Sequence, residues 1–450
     1  MDKIKLEKPD YSKIDGAQVL KKYLENQSNY NKFINDVNEP TYLYWDKVKY
    51  KPTPPDMSSE EFWFLVRQIR QLTARPTALR AENGNHFLWV RPTYIDESLH
   101  RIDIHTGGQI FAPYEVIKDE NKQKFIARGI LEEAIASSQL EGAVTTRKVA
   151  KMMILENREP HNVSERMIIN NYRTMQMLES EYKNKELSLE LLFEIHASIT
   201  KDTVPPDERY RLRRNEDNIV VRENQYISHI PPKQDFLDQE IRNLIDFANG
   251  KDSRIFIHPV IKAIFLHFWI GYLHPFTDGN GRLARALFYW FLLREDYWTF
   301  MYLPISSIIK NSPVQYKNAY IYTEQDGNDL TYFFDYHLKK ILQALDDFKE
   351  YLKRINVENK EIDLRLGKEI ILNDRQKQLV HYLLAETDYG YVTLTSHRTL
   401  NNIAKNTAIQ DLRYLTAKGL LAPRREGKFI RYYVSDKLKS LATKIPLQAD

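Results

Sequence analysis

The chain has 450 residues, 42% of them hydrophobic, no cysteine, and a formal net charge of +4. That length exceeds what one hydrophobic core spans, so two or three domains are expected, and the apolar and aromatic content excludes a disordered chain. Disulfides and thiolate metal sites are excluded, and the charge is too small to announce a polyanion partner for the whole protein.

The first residues, Met-Asp-Lys-Ile-Lys-Leu-Glu-Lys, have no apolar run, so no secretory signal is expected. The longest apolar stretch, Ile255 to Phe276, carries His258, Lys262, His267 and His274, which makes it a buried helix and not a membrane span. The expectation is a soluble, cytoplasmic protein with no membrane partner.

Residues 1–120 read as a mainly helical N-terminal extension without identifiable chemistry. In it Phe62, Leu65, Val66 and Ile69 recur at helical spacing, and the stretch from Asn85 to Val90 looks like a strand after a turn. From Asn121 the pattern is helical, with Ile126, Ile130, Leu131, Ala134 and Ile135 on one face. It runs into Ser137-Ser-Gln-Leu-Glu-Gly142, where Gly142 is a natural helix stop. Helices are expected over 164–182 and 187–201. A short hairpin follows, from Asn218-Ile-Val-Val-Arg222 through a turn at Glu223 and Asn224 to the stretch from Tyr226 to Pro232. Further helices are expected over 234–248, 259–273 and 280–294, then a long one from near Asp329 to about Val357. The Lys- and Glu-rich run from Asp346 to Lys368 reads as a solvated linker helix.

The most informative stretch is His274-Pro-Phe-Thr-Asp-Gly-Asn-Gly-Arg-Leu-Ala-Arg285. Pro275 bars His274 from continuing the preceding helix. Asp278, Gly279, Asn280 and Gly281 tolerate unusual backbone angles, and helical periodicity resumes after Gly281. A glycine-rich turn feeding a helix start presents free N–H groups and a positive dipole end to an anion. Asp278 offers a hard oxygen for Mg²⁺, which takes one or two carboxylates plus substrate phosphates. Arg282 and Arg285 share a helix face and suit phosphate oxygens, and His274 can accept a proton from a hydroxyl. Nucleotide triphosphate, Mg²⁺ and a general base are the chemistry these residues describe together. A zinc site from His267, His274 and Asp278 lacks the paired-histidine spacing.

This stretch resembles the signature of the Fic family, with His274, Phe276, Asp278, Gly279, Asn280, Gly281, Arg282 and Arg285 at its fixed positions. The resemblance covers roughly residues 121–345. It implies a mainly α fold: a Fic-type helical core with a short β-hairpin flap. It also implies a protein adenylyltransferase that moves AMP from ATP to a Ser, Thr or Tyr hydroxyl of a target protein, with Mg²⁺ as cofactor. In that reading His274 is the general base and Asp278 the metal ligand. Gly279, Asn280, Gly281, Arg282 and Arg285 bind the nucleotide. Ser137, Glu141 and Gly142 resemble the family's inhibitory motif, with Glu141 set to pair with Arg285. Ile219, Val220 and Val221 stand where the family has its target-positioning flap. Self-modification and a homodimer are compatible with it. Two further activities stay open: an AMP-removing hydrolase, and a DNA-binding regulator whose core senses nucleotide.

The last segment, 369–450, holds 13 Lys and Arg against 8 Asp and Glu, a net of +5. A helix from Arg375 to Leu384 precedes stretches from Leu400 to Ala404 and from Asn406 to Lys418, which resemble the helix-turn-helix of a winged-helix (α+β) domain. Gly419 would stop the second helix. The stretch from Arg424 to Val434 would form a basic wing turning at Gly427, and two readings of it stay open: phosphate contacts to DNA, and a dimerisation or docking module.

Overall fold

A computed structural model describes residues 3–106, 111–112, 115–116, 119–223, 225–251, 256–366, 370–385, 390–427 and 429–442. The expectations that touch Asn224, Ile255, Gly367 and Lys368 lie outside the described residues. The molecule is mainly helical with a few small antiparallel sheets. Among the described residues no helix is long and apolar enough to cross a membrane.

The N-terminal extension packs its own cluster, which includes Val19, Trp45, Val48, Phe62 and Val66, against Tyr332. Helix α1 (Ser59–Thr73) starts at a capping box made by Ser58 and Glu61. It carries Arg70 into the interior, where the guanidinium lies over the Tyr42 ring at 3.6 Å and donates to Tyr332 Oη at 2.9 Å. The strand expected near 85–90 is β2 (His86–Trp89). Its partner β1 (Arg75–Arg80) was not expected, because Pro76 and two arginines obscure the strand pattern.

At the centre is the pair α7 (Pro259–Leu273) and α8 (Asn280–Arg294); α2 (Asp119–Leu140), α4 (Val163–Met177) and α5 (Leu189–Ile199) pack on α8, and α3 (Arg147–Leu155) packs behind them on α2 and α4. Helix α7 is apolar around most of its circumference, Lys262 and His267 apart, with Val260, Ile264, Phe268 and Trp269 all fully buried, as suits a helix at the middle of a large domain. Helix α6 (Gln234–Ala248) packs on it from outside. The hairpin is β3 (Val221–Glu223) with β4 (Tyr226–His229). It is shorter than expected at its start: Asn218 adopts φ +50°, and Ile219 and Val220 precede the strand, leaving Val221 as the one flap candidate within it.

Helix α9 (Thr331–Leu366) is one continuous rod. The run from Asp346 onward therefore continues that helix and does not form a separate joint. Exposed pairs Lys349–Asp346, Lys353–Glu350 and Arg354–Glu358 support its outer face. Its end contributes Ile362 and Leu366 to a separate C-terminal core. That unit comprises α10 (Asp374–Ala385), β5 (Tyr391–Thr393), α11 (Leu394–Asn401), α12 (Lys405–Ala417), and the hairpin β6 (Leu421–Glu426) and β7 (Phe429–Val434) in sheet order β5-β7-β6. Its first turn-flanking helix begins six residues earlier than expected, since Thr393 caps it through Ser396 N–H and Asn402, at φ +48°, ends it. Ile403 and Ala404 belong to the turn. Gly419, at φ +71°, follows α12 as expected.

Helix α2 lies against the 298–302 turn with no clearance at Gly129, where an added Cβ would sit 1.8 Å from Met301 O. Gly129→Ala should therefore destabilise the protein by roughly 1–3 kcal/mol through overpacking, read as a lower midpoint in urea unfolding. An unchanged midpoint would mean that α2 can shift outward freely.

Candidate functional site

The site is built where α7 stops and α8 starts. His274 N–H still bonds Ile270 O at 2.9 Å, but its φ is +47°, and Pro275 turns the chain away. A non-glycine residue in that region is held by its surroundings, and Arg213 supplies the hold. Its Nε donates to His274 O at 2.7 Å, its Nη2 to Leu273 O at 3.1 Å and Pro232 O at 2.5 Å, and its backbone N–H to Pro275 O at 2.8 Å.

The loop beyond is fastened from inside. Phe276 is fully buried and stacks on His196 at 3.6 Å with ring planes 8° apart. His196 in turn places one ring nitrogen 2.9 Å from Asp278 O and the other 3.2 Å from Arg209 O. Asn280 closes the loop on itself: its Oδ1 accepts from Phe276 N–H at 2.9 Å and its Nδ2 donates to Phe276 O at 2.8 Å. Its side chain is thus engaged with the loop backbone. Gly279 adopts φ +83° with Thr200 so close that a Cβ would meet it at 2.7 Å.

Asp278 points to the mouth with its side chain 55% exposed. One oxygen accepts from Gly279 N–H at 2.6 Å, and the other lies 3.3 Å from Arg282 Nη2. Arg282 itself is fully buried and also donates to Ile199 O at 3.1 Å. Burial depresses the affinity of this guanidinium for its proton, with Asp278 and Glu141 working the other way. Among the described residues no cluster of three His, Cys, Asp or Glu could hold a metal alone. A single open carboxylate beside an anion-binding turn fits Mg²⁺ arriving with nucleotide phosphates, not a protein-only metal cage.

Deeper in, Arg285 is 4% exposed. Its Nε donates to Ser137 Oγ at 2.7 Å, and its Nη2 to Ser137 O at 2.9 Å and Glu141 Oε1 at 2.8 Å. Ser137 and Glu141 are one helical turn apart at the end of α2, so one helix terminus delivers all three oxygens. Glu141 continues over the first turn of α8, where a Cβ on Gly281 would come within 2.0 Å of its Oε1. Gly142, at φ +91°, turns the chain away immediately after. Burial works to raise the Glu141 pKa, but Arg285 outweighs it and holds the carboxyl below its usual range. The structure thus brings Ser137, Glu141, Gly281 and Arg285 into one cluster. Val221, Ile219 and Val220 stand apart on the hairpin, whose inner strand is tied to the site by His229 Nε2, 2.7 Å from Tyr272 O.

Residues 186–292 match the family model described as Fic/DOC family. Over that segment the chain carries a Fic/DOC domain. The protein adenylyltransferase Fic of Nematostella vectensis is 26% identical over 238 residues, which cover 51% of this chain and 52% of that protein. The corresponding Aedes aegypti protein is 32% identical over 115 residues, or 26% of this chain and 21% of that one. The chain therefore spans about half the length of the first relative and about a fifth of the second. A crystal structure of a Fic family protein from Desulfovibrio desulfuricans aligns over 77% of this chain and 97% of that one, with 18% identity and a TM-score of 0.49.

Two residues that fasten the Fic/DOC loop were not anticipated. His196 had a signal, a lone imidazole among the apolar residues on the buried face of its helix. Arg213 had none, because its three carbonyl partners lie 19 to 61 residues away in sequence.

His274 is held in its neutral form. Burial, and next the neighbouring His229, push its pKa down to about 4, and Glu141 opposes them. Its ring should therefore stay unprotonated down to about pH 5, well below the ordinary histidine value of about 6.5. Heteronuclear NMR of the labelled imidazole should find a midpoint far below 6.5. A midpoint at or above that value would contradict the buried environment.

Proposed function

We propose that the protein is an adenylyltransferase that transfers AMP from ATP to a hydroxyl of a target protein, and that Glu141 holds it silent. The observation that carries this reading is the Glu141–Arg285 contact laid across the first turn of α8. It sits directly beside a neutral histidine and an anion-binding turn. The same-named activity of the Nematostella and Aedes relatives supports it.

In this reading the target hydroxyl oxygen attacks the α-phosphorus of ATP. Its proton passes to the His274 ring, the bond from the α-phosphorus to the bridging oxygen breaks, and pyrophosphate leaves. A base that is already neutral at physiological pH needs no prior deprotonation. The N–H groups at the start of α8 and the Arg282 and Arg285 side chains face the phosphates and stabilise the charge that develops on them. Asp278 would hold a Mg²⁺ ion brought in with the nucleotide, which would supply neutralisation of phosphate charge. Arg213, His196 and Asn280 keep the loop from moving, since small displacements of a reacting group are costly in rate. The β3–β4 hairpin is tied to the end of α7 through His229, and its β4 side is bridged by Lys3 and Ile4, so a target segment would lie along β3.

His274→Ala should abolish transfer, by about 10²–10⁴-fold, while leaving ATP binding nearly intact, because the imidazole acts on the hydroxyl and not on the phosphates. Self-labelling with ATP carrying label on the α-phosphate, beside a nucleotide-binding isotherm, measures both. Equal labelling by the variant would remove the base assignment.

Glu141→Gly should raise transfer or self-modification by about tenfold or more. Arg285→Ala in that background should cancel the gain, since a guanidinium freed from its carboxylate is what the triphosphate then meets. If Glu141→Gly melts like the parent and transfers no more AMP, the segment from Ser137 to Gly142 is an ordinary helix end.

A further inference from the structure

We propose that the C-terminal unit binds double-stranded nucleic acid, using the exposed face of α12 together with the β6–β7 hairpin. The first observation is the pattern on α12. Asn406, Gln410 and Arg413 are all exposed, and their spacings of four and three put them on one stripe of the helix. The opposite stripe, Ala408, Asp411, Leu412 and Leu415, is buried in the unit's own core. A helix that presents Asn, Gln and Arg outward, set after a tight turn from the preceding helix, carries the side chains whose hydrogen-bonding groups match base edges in the major groove.

The second observation is charge. Arg398 on α11, Lys405 at the start of α12, Arg413, and Arg424 and Arg425 on β6 are exposed. Among the described residues from 370 to 442 the exposed acids are Glu426 and Asp436, and Glu426 is bound by Arg431 and Tyr433. Exposed cations therefore outnumber exposed acids on a unit whose chain as a whole is nearly neutral. Arg424 lies over the Tyr433 ring at 5.1 Å, which stiffens the hairpin without consuming its charge.

The third observation is what the unit's other side does. Helix α11 packs on α2 and α3. Asn402 Nδ2 donates to Gln123 Oε1 at 2.9 Å, and Tyr391 Oη donates to Glu156 Oε1 at 2.8 Å. The α12 stripe stays exposed while these contacts are made, so a duplex can reach it in the intact protein. The buried His397–Asp411–Arg375 network fixes α12 against α11 and α10, giving the rigid presentation that groove reading needs.

The test uses the full-length protein and a fluorescein-labelled DNA duplex of about 20 base pairs. Anisotropy should show binding at about 50 mM salt that weakens at least tenfold by about 200 mM, because phosphate neutralisation releases counterions. The triple variant Arg413→Ala, Arg424→Ala, Arg425→Ala should bind at least tenfold more weakly, with a log–log salt slope shallower by about 2 to 3. All three positions are exposed, so its thermal melt should match the parent's. No binding by the parent at low salt, a triple variant that binds as the parent does, or a single strand bound as tightly as the duplex would each overturn the proposal.

Discussion

The site depends on one buried cation. Arg285 has almost no contact with water, and a guanidinium in that position must find oxygens within the protein or on a ligand. Ser137 supplies two, through its hydroxyl and its carbonyl, and Glu141 supplies the third. All three come from the last turn of α2 and the residue that follows it, so bonding Arg285 fixes the end of that helix over the start of α8. Glu141 is partly open to water, but without it the buried Arg285 would lose its carboxylate, which is costly and favours the end of α2 staying in place. In the proposed reading the triphosphate is the anion that competes, drawn also by the N–H groups and dipole of the α8 N-terminus.

Around this pair the chain spends its buried polar groups on immobilising a short loop. Asn280 closes a ring with Phe276, His196 holds Phe276 by stacking and Asp278 by its carbonyl, and Arg213 gathers the carbonyls at Leu273, His274 and Pro232. Each of these bonds goes to backbone, so the loop's shape is fixed independently of the side chains that would do chemistry. His274, Asp278 and the first N–H groups of α8 are left to face outward from a rigid frame. The neutral state of His274 follows from the same burial that makes the frame rigid.

What could be read from the chain beforehand was whatever is encoded locally. The bounds of α6, α7 and α8 follow from apolar periodicity, a proline and glycine turns within a few residues, and they are found at 234–248, 259–273 and 280–294. The Ser137–Glu141 spacing and the signature from His274 to Arg285 each lie within one helix end or one turn. Tertiary partners were not legible in this way. Arg213 is an arginine among arginines until the fold brings it under His274, and the closure of the Asn280 side-chain amide on Phe276 shows only in the folded loop. The strand β1 was hidden by Pro76, and α11 by a weakly patterned stretch whose boundary is set by the Thr393 cap and the left-handed Asn402.

The central claim is that Glu141 occupies the guanidinium that a terminal phosphate would otherwise use. Calorimetric affinities for ATP and ADP, measured on the parent and on Glu141→Gln, address it most directly, because the two nucleotides differ in that phosphate alone. The parent should scarcely distinguish them. Glu141→Gln should gain about tenfold for ATP, about 1.4 kcal/mol, and little for ADP. An ATP-to-ADP ratio unchanged by the substitution would contradict the account.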